Sequence, residues 1–515
     1  MPSADLVLRN ASVVTVDPSR PRARLVAARG NRVWLVGNDD LLVDVKGART
    51  RTVDCQGGTL VPGFIDAHCH VFSLIRKLIS IDLSPQAVTC IDDIKAAIAR
   101  KAQETPPGKW IQGTDYSEFH LAEKRHPTRQ DLDEVAPGHP VVLSHRSLHA
   151  CVLNSRALQL AGITRETPEP PGAMIARDVP DGEPNGLLFE MLGYIREQVM
   201  PPWSQEDLEA AMALGNRQYL SQGLTSLQDA TVVNDYRRWQ TLRRFIDAGK
   251  LRPRIYMMAG LEAVPQLLEA GLGFGDGDER LRLGAVKIVP SNIAGQLHPP
   301  QPELNRIVLD LHRKGFQVAI HAIRDTTVEA VIIAYENLVG EHPGMERRHR
   351  IEHCAECPPH LLERMARLRT VVTTHPAFLY YSGDRYRATV PAEQLRWLYR
   401  VGSFLRSGLV VAASSDSPIV PNDPITGIYG GVTRRSETGV ELLPDEAITA
   451  EQALVTYTIG AACASFEEDI KGSITPGKLA DMVLLSDDPT TCPPEAIRNI
   501  RVEMTISDGE VVWEA

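Results

Sequence analysis

The sequence lacks the long hydrophobic runs of membrane proteins. No apolar run is long enough to span a bilayer. The first residues, MPSADLVLRNASVV, lack the basic stretch and apolar run of a secretory signal. Basic tracts and acidic tails are also missing, and the formal net charge of −10 argues against a nucleic-acid partner. We therefore expect a cytoplasmic protein that binds neither membranes nor nucleic acids.

Cysteine is sparse and scattered along the chain. The eight cysteines do not have the compact spacing of a disulfide framework. We expect them to remain thiols, as in other large intracellular enzymes. Cys354 and Cys357 have the CxxC spacing, but one such pair alone is a weak indication of structural zinc. We interpret this pair as incidental.

Strand-like segments and helical patterns alternate through the middle of the chain. Hydrophobic residues make up 43% and charged residues 23% of the 515 residues, close to the globular average. Strands alternating with helices predict a parallel sheet, and eight such units predict a closed TIM-like (β/α)₈ barrel. A nine-unit barrel or an open sheet is the alternative, because reassigning a single apolar run would change the count of strands. The eight apolar runs are TLVPGFIDAHCH, GLTSLQDA, PRIYMMAG, GAVKIVP, FQVAIHAI, HRIEHC, TVVTTHP and LVVAASSD.

Both ends of the chain have the alternating pattern of half-buried strands. We expect residues 1–58 and 470–515 to form one composite β-sandwich domain, and residues 59–469 to form the α/β barrel domain. The first two barrel strands are separated by an unusually long segment with helical and strand-like pieces. We interpret about 74–205 as an insertion after barrel strand 1. Insertions on such loops lie over the barrel mouth, where substrates bind.

Potential metal ligands occur at the ends of several predicted strands. In the first strand, His68 and His70 are two residues apart and face the same side. Barrel active sites are built at the C-terminal ends of the strands, and imidazole and carboxylate ligands suit zinc as well as iron, nickel or manganese. The combination predicts a metal site, although a single strand histidine is more often structural. The further candidates are Lys287, His321, His353 and Asp416 in predicted strands 4, 5, 6 and 8.

Several longer motifs resemble those of the amidohydrolase superfamily, in the family 3 branch that contains the N-substituted formamide deformylases. They extend over nearly the whole chain. The resemblance implies a barrel with a composite β-sandwich, hydrolysis of carbon–nitrogen bonds and one or two divalent metal ions. The motifs are PGFIDAHCH, HACVLNSRALQLAGI, GLTSLQDA, HRIEHC, SSDSP, DPITGIYGGVTR and KGSITPGKLADMVLLSDDP.

The resemblance also implies a role for each candidate ligand. Asp416 matches the aspartate that contacts metal and transfers a proton in the family. Lys287 matches the lysine that is carboxylated on its side-chain nitrogen in many relatives and bridges two metals. A lysine that merely ends a buried strand is the alternative, because carboxylation cannot be read from a sequence. The remaining implied metal ligands are His68, His70, His321 and His353.

The sequence departs from the family pattern near the expected mouth. Arg324 occupies the place of a glycine after His321, and His375 stands where a glutamine is common. Arg324 would bind a substrate carboxylate or form a surface ion pair. His149 and Trp110 are further candidates for substrate binding, with structural roles as the alternative. These departures bear on the substrate more than on the metal site.

We therefore predict a zinc-dependent hydrolase that cleaves the amide, N-acyl or N-formyl bond of a small molecule. Metal-activated water would attack, and Asp416 would act as the proton shuttle. Ester or lactone hydrolysis and decarboxylation are alternatives, because fold does not determine chemistry. A non-catalytic scaffold protein is a further alternative. Large barrels of this kind often form dimers or tetramers, so we expect a homo-oligomer.

Overall fold

Eight parallel strands form the central sheet of the protein. The computed structural model describes residues 3–170, 172–179, 181–293, 296–342 and 348–515. Each strand of the sheet pairs with the next one along the chain. The strands are β1 (Phe64–Cys69), β2 (Leu224–Asp229), β3 (Arg254–Gly260), β4 (Leu281–Ile288), β5 (Val318–Ala322), β6 (Arg350–His353), β7 (Val371–Thr374) and β8 (Val410–Ala413).

The sheet closes into a barrel between its first and last strands. The Asp416 backbone N–H, just after β8, donates to the carbonyl oxygen of His68 in β1 at 2.8 Å. The His70 N–H donates to the Ser417 carbonyl at the same distance. The (β/α)₈ barrel predicted from the eight apolar runs is thus confirmed, and each run supplies one barrel strand in chain order.

The barrel strands are apolar because both of their faces are covered. Every residue of β1, β2, β3, β6 and β7 is buried, as expected of parallel strands packed between a barrel core and outer helices. Helices follow the strands along the chain. The longer ones are Gln205–Ser221, Tyr236–Asp247, Gln301–Arg313, Asp325–Glu341, Pro359–Leu368, Ala377–Thr389 and Pro424–Thr433, and the shorter ones are Val264–Glu269, Ala392–Leu395, Val401–Arg406, Ala450–Thr456 and Ile459–Ala464.

The first apolar run is divided between two sheets at Gly63. Residues Thr59–Pro62 pair with Met482–Leu485 outside the barrel, and β1 begins at Phe64. A Cβ atom on Gly63 would lie 2.1 Å from Thr225 Oγ1, so the backbone approaches β2 too closely for a side chain. Hydrophobic periodicity cannot detect such an approach, and the sequence therefore showed one continuous run.

Strands from both ends of the chain form two further sheets with a shared core. Leu6, Val26 and Val33 of the first sheet and Met482 and Ile506 of the second belong to one buried apolar cluster. This arrangement confirms the composite β-sandwich. The four-stranded sheet has the order Arg32–Gly37, Leu25–Arg29, Leu6–Arg9, Arg51–Asp54, and the six-stranded sheet has the order Glu510–Glu514, Val502–Ser507, Met482–Leu485, Thr59–Pro62, Ser12–Val14, Arg22–Ala23.

A buried ion pair connects the barrel to the terminal strands. Arg254 of β3 donates through Nε to Asp481 Oδ2 at 2.6 Å and through Nη2 to Asp481 Oδ1 at 3.1 Å. The same guanidinium contacts Asp508. Burial alone would raise the pKa of Asp481, but the charge and hydrogen bonds of Arg254 outweigh it and lower this pKa.

Residues Phe72–Leu214 form a second compact unit, separate from the unit of Met1–Val71 and Gly215–Ala515. Its sheet is covered on both faces, because Val141 and Leu143 belong to one apolar cluster and Val142 to another. The strand order is Met174–Arg177, Pro184–Phe189, Ala150–Leu153, Val141–His145, Ile111–Tyr116, Ile81–Asp82, and the helices are Ile91–Glu104, Arg129–Asp133, Ser155–Leu160 and Leu192–Tyr194, with a π-helical turn at Ile195–Val199. Helix Val71–Ile79 begins at the boundary between the units.

Two further properties concern the described residues as a whole. Among them, no helix combines the length and apolar character needed to cross a membrane. The eight cysteines are all free thiols. Both cysteines of the CxxC pair are buried.

Candidate metal centre

Four histidines from three different strand ends converge at one end of the barrel. The ring centroids of His321 and His353 lie 4.3 Å apart, and those of His68 and His353 lie 4.9 Å apart. The ring centroid of His70 lies 5.4 Å from that of His68. His68, His321 and His353 belong to β1, β5 and β6, and His70 directly follows β1. The structure thus brings together four residues that are 285 positions apart at their extremes in the sequence.

His68 is buried and held through its Nδ1 atom. Nδ1 contacts the Glu352 carboxylate, which in turn accepts a hydrogen bond from Arg350 Nε at 2.7 Å. Burial and the charge of Lys287 hold the pKa of His68 well below its usual value, so the ring is neutral. With Nδ1 donating to Glu352, the lone pair of His68 lies on Nε2, 3.5 Å from Asp416 Oδ1.

A second chain of hydrogen bonds orients His70. Its Nδ1 atom lies 3.1 Å from Thr231 Oγ1, and this hydroxyl donates to Asp229 Oδ1 at 2.6 Å. Because the Thr231 proton is used toward Asp229, the hydroxyl oxygen accepts from His70 Nδ1. The Nε2 atom of His70 then carries the lone pair and lies 3.0 Å from Asp416 Oδ1.

Asp416 lies between these imidazoles with an unusual backbone conformation. Its φ of 56° is in the left-handed region, which non-glycine residues rarely adopt outside functional sites and turns. Asp66 holds the backbone just before Asp416, because its Oδ1 atom accepts a hydrogen bond from the Ser415 N–H at 3.0 Å. Burial raises the pKa of Asp416, but the neighbouring imidazoles of His70 and His68 outweigh it and hold this pKa well below its usual value. The carboxylate is therefore ionised.

His375, at the end of β7, pairs with His353. A hydrogen bond of 2.7 Å connects His353 Nδ1 and His375 Nε2. His375 Nδ1 lies 2.9 Å from Ser414 Oγ, and that hydroxyl donates to the Thr374 carbonyl at 3.1 Å. Burial lowers the pKa of both histidines. The sequence predicted His375 as a substrate contact, whereas the structure places it against a candidate metal ligand.

Lys287, in β4, is directed at the same cluster. Its Nζ atom lies 3.3 Å from His68 Nε2 and is fully enclosed. Burial lowers the pKa of Lys287 to about 8, with the Glu352 and Asp416 charges acting in the opposite direction. A large share of this amine is therefore neutral near pH 8.

The residues at this barrel end fit a divalent metal ion. Two sets of ligand atoms, each within 4.8 Å of one another, share His68: one with His353 and His375, the other with His70 and Asp416. Neutral imidazoles and an ionised carboxylate are the donors that zinc and similar ions take. The hydrogen bonds to Glu352 and Thr231 orient the rings in the way that outer partners orient metal-bound histidines.

The other predicted substrate residues each have partners of their own. Arg324 is exposed and precedes helix Asp325–Glu341. Its charge partly offsets the burial that raises the pKa of Glu356. His149 and Trp110 belong to the Phe72–Leu214 unit. His149 Nδ1 contacts Glu190 Oε1 at 2.8 Å, and Trp110 packs against an apolar cluster of that unit. Their roles in substrate binding stay predictions.

Sequence reasoning missed the groups that support the candidate ligands. Glu352, Arg350 and Asp229 are charged residues inside strands that are buried over their whole length. Charged residues are almost never buried without partners, so their presence in HRIEHC and GLTSLQDA was an available signal. Thr231 gave no such signal, because a buried threonine is ordinary.

The chain matches the family model described as "Amidohydrolase family" over residues 51–513. It is 32% identical to the N-substituted formamide deformylase of Arthrobacter pascens, over 99% of this chain and 98% of that protein. It is 29% identical to the putative amidohydrolase YtcJ of Bacillus subtilis (strain 168), over 90% and 91% of the two chains.

A solved structure has a similar fold. The crystal structure of a metal-dependent hydrolase from Pyrococcus horikoshii superposes with a TM-score of 0.76 at 24% identity, and the match covers 95% of this chain and 99% of the other. At this identity the likeness concerns the fold: the barrel, the terminal sheets and the inserted unit recur over almost the full length of both chains.

Proposed function

This chain belongs to the amidohydrolase family, and we propose from that premise that it hydrolyses a carbon–nitrogen bond of a small-molecule amide, N-acyl or N-formyl amine. The observation that carries the proposal is the convergence of His68, His70, His353 and Asp416 at the C-terminal ends of the barrel strands. In barrels of this kind, catalysis takes place at that end.

We assign the metal to His68, His70, His321, His353 and Asp416, with zinc as the expected ion. A divalent cation held there would lower the pKa of a bound water molecule to about 7 and polarise a carbonyl group. The set of His68, His70 and Asp416 would hold one ion, and His321 and His353 would supply donors for a second. His375 contributes by accepting from His353 Nδ1, which leaves the lone pair of that ring on Nε2.

Asp416 is the proton shuttle in this proposal. Its carboxylate is ionised and lies 3.0 Å from His70 Nε2, at the centre of the cluster. An ionised carboxylate at this position accepts a proton from the attacking water and returns it to the departing amine nitrogen. The amine then leaves as a neutral group, which removes the main obstacle to cleavage of a stable amide.

Lys287 takes one of two forms in the proposal. As an ammonium group, it stabilises negative charge that develops near His68. As a neutral amine, it would add carbon dioxide at Nζ, release one proton to solvent and become a carbamate, an anionic group that would serve as a metal ligand. Its complete burial and a pKa of about 8 favour the neutral amine that carboxylation requires. Mass spectrometry of the native protein distinguishes the two forms by 44 Da on Lys287, about the mass of carbon dioxide.

The substrate class rests on the similarity to the Arthrobacter enzyme. That relative is named for the deformylation of N-substituted formamides, and it matches this chain over nearly its full length. The departures at Arg324 and His375 leave the nature of the amine open. We therefore propose N-formyl and short N-acyl amines as the first compounds to test.

A substrate panel tests the proposal directly. The metal-loaded protein is assayed with N-formyl amines, N-acetyl amines, the matching esters, lactones and a β-keto acid. We expect turnover of at least one amide, with release of the free amine and the carboxylic acid. Turnover of esters or lactones alone, or carbon dioxide release, would move the reaction to one of the alternatives. Metal binding without turnover of any class would favour the scaffold alternative.

A further inference from the structure

Three sulfur atoms converge in the loop that follows β6. Both thiols of the CxxC pair donate to the thioether of Met365: Cys354 Sγ lies 3.9 Å and Cys357 Sγ 3.7 Å from Met365 Sδ. The two thiols are also within hydrogen-bonding contact of each other. All three side chains are fully buried, and neither cysteine is in a disulfide. The sequence alone did not indicate Met365 as a partner of the pair.

The spacing of these sulfur atoms matches three-coordinate binding of a soft cation. Three sulfurs at about 2.3 Å from an ion in their plane are separated by about 4.0 Å from one another. The separations of 3.7 and 3.9 Å require only a small expansion to reach that geometry. Thiolate and thioether donors select soft ions such as Cu(I) over the harder ions that imidazole and carboxylate bind.

We propose that Cys354, Cys357 and Met365 form a binding site for a soft monovalent cation, Cu(I) or Ag(I). On binding, each thiol loses its proton to solvent, and the ion forms two metal–thiolate bonds and one bond to the thioether. The ion and the two thiolates together carry one negative charge. No electron is transferred, and no other reactant is needed.

Burial raises the pKa of the Cys354 thiol and so opposes this negative charge, whereas two neighbouring features favour it. Helix Pro359–Leu368 begins two residues after Cys357, and the N-terminus of a helix favours anionic groups. Arg400 Nη1 donates to the Cys357 carbonyl at 3.0 Å, which places a guanidinium beside the same residue. Met365 lies in the helix itself, so the helix fixes the third sulfur relative to the loop.

The site is distinct from the barrel cluster in its chemistry. Cys354 directly follows His353 in the sequence. The sulfur atoms contact one another, whereas the imidazole of His353 contacts His68, His375 and His321. A soft ion at the sulfur atoms and a divalent ion at the imidazoles therefore require different ligands. The proposal does not depend on the reaction that the barrel site performs.

A competition titration of the full chain tests the site. The protein is equilibrated with Cu(I) without oxygen, in the presence of a coloured Cu(I) chelator, for long enough to let the buried loop open. We expect one tightly held ion per chain at the sulfur atoms, and two protons released for each ion bound. X-ray absorption of that complex should show three sulfur ligands at about 2.3 Å.

Variants locate the ion and provide controls. Cys354→Ser and Cys357→Ser should each weaken binding by more than about tenfold, the loss that even an outer partner of a ligand causes. Met365→Leu keeps the apolar volume and removes only the thioether, so weaker binding in a variant that melts normally would exclude misfolding as the cause. Cys492→Ser and His68→Ala should bind like the wild type. Equal Cu(I) binding by the wild type and the three sulfur variants, or a shell of nitrogen ligands, would overturn the proposal.

Discussion

Single protons decide the chemistry of the candidate centre at the scale of the residue. Glu352 and Thr231 each accept a hydrogen bond from an Nδ1 atom, and the lone pairs of His68 and His70 are consequently on Nε2. Both Nε2 atoms face the Asp416 carboxylate. The ligand set thus depends on groups outside it, which hold each ring in the required tautomer.

Replacement of Asp416 by asparagine should separate catalysis from metal binding. The amide keeps the size of the side chain but cannot take up the proton of the attacking water. We expect kcat to fall by about 10²–10⁴-fold, the usual contribution of a positioned acid–base group. Metal content, measured by plasma mass spectrometry on the same sample, should stay close to that of the wild type. Near-normal turnover in this variant would exclude Asp416 as the proton shuttle.

The Thr231 hydroxyl offers a test of the support for His70. Thr231→Val removes the acceptor for His70 Nδ1 and keeps the volume of the side chain. We expect metal affinity to fall by about 10–100-fold, as is typical when an outer partner of a ligand is lost. Thr231→Ser retains the hydroxyl and should behave like the wild type in the same chelator competition. Identical affinities in all three proteins would show that this hydrogen bond does not orient a ligand.

At the scale of the element, the strand ends that carry the site could be predicted from the sequence, but the contacts between strands could not. Strand ends carrying histidine or aspartate were recognisable, because strand runs and ligand types are both local features. His375 was recognised as belonging near the mouth, but its pairing with His353 depends on the spacing of β6 and β7. The pairing of Glu352 with His68 and of Thr231 with His70 could not be predicted for the same reason: hydrogen bonds between strands follow from register, which no single run contains.

The division at Gly63 is the clearest case of a boundary that periodicity could not reveal. A methyl group there would collide with Thr225 of β2. We expect Gly63→Ala to lower stability by about 1–3 kcal/mol, the usual cost of overpacking. Gly340→Ala is the matched control, since its Cβ would meet nothing within 4 Å and it lies in helix Asp325–Glu341. That substitution should raise stability slightly, by up to about 1 kcal/mol.

Thermal melting of the two alanine variants measures the contrast. Equal melting temperatures would mean that β1 and β2 separate easily at this point, contrary to the close approach of their backbones. A lower melting temperature for Gly63→Ala alone would confirm that the terminal sheet and the barrel meet at a position without room for a side chain.

At the scale of the whole molecule, the terminal strands and the barrel are joined by the Arg254–Asp481 pair. We expect Arg254→Met to destabilise the protein by about 3–5 kcal/mol at pH 7, because it leaves a buried carboxylate without its partner. In the wild type, the lowered pKa of Asp481 contributes stability above the unfolded pKa of about 3.9, and this contribution is lost as the pH falls through the folded value.

The pH dependence of the variant should run in the opposite direction. Without Arg254, burial raises the pKa of Asp481, so stability is lost as the pH rises through that raised value. The difference in the free energy of unfolding between the wild type and Arg254→Met should therefore be larger at pH 7 than at pH 4.5. Chemical denaturation at both pH values measures it. Arg254→Met/Asp481→Asn, which removes both charges, should recover part of the loss. A difference independent of pH would mean that the pair does not act through charge.

Anomalous diffraction at the zinc edge, from crystals of the zinc-loaded wild type and of His68→Ala, tests the central claim most directly. We expect a strong peak between His68, His70, His353 and Asp416 in the wild type, and its loss when the shared ligand His68 is replaced. A peak elsewhere in the molecule, or one that persists unchanged in His68→Ala, would contradict the assignment of this end of the barrel as the metal centre.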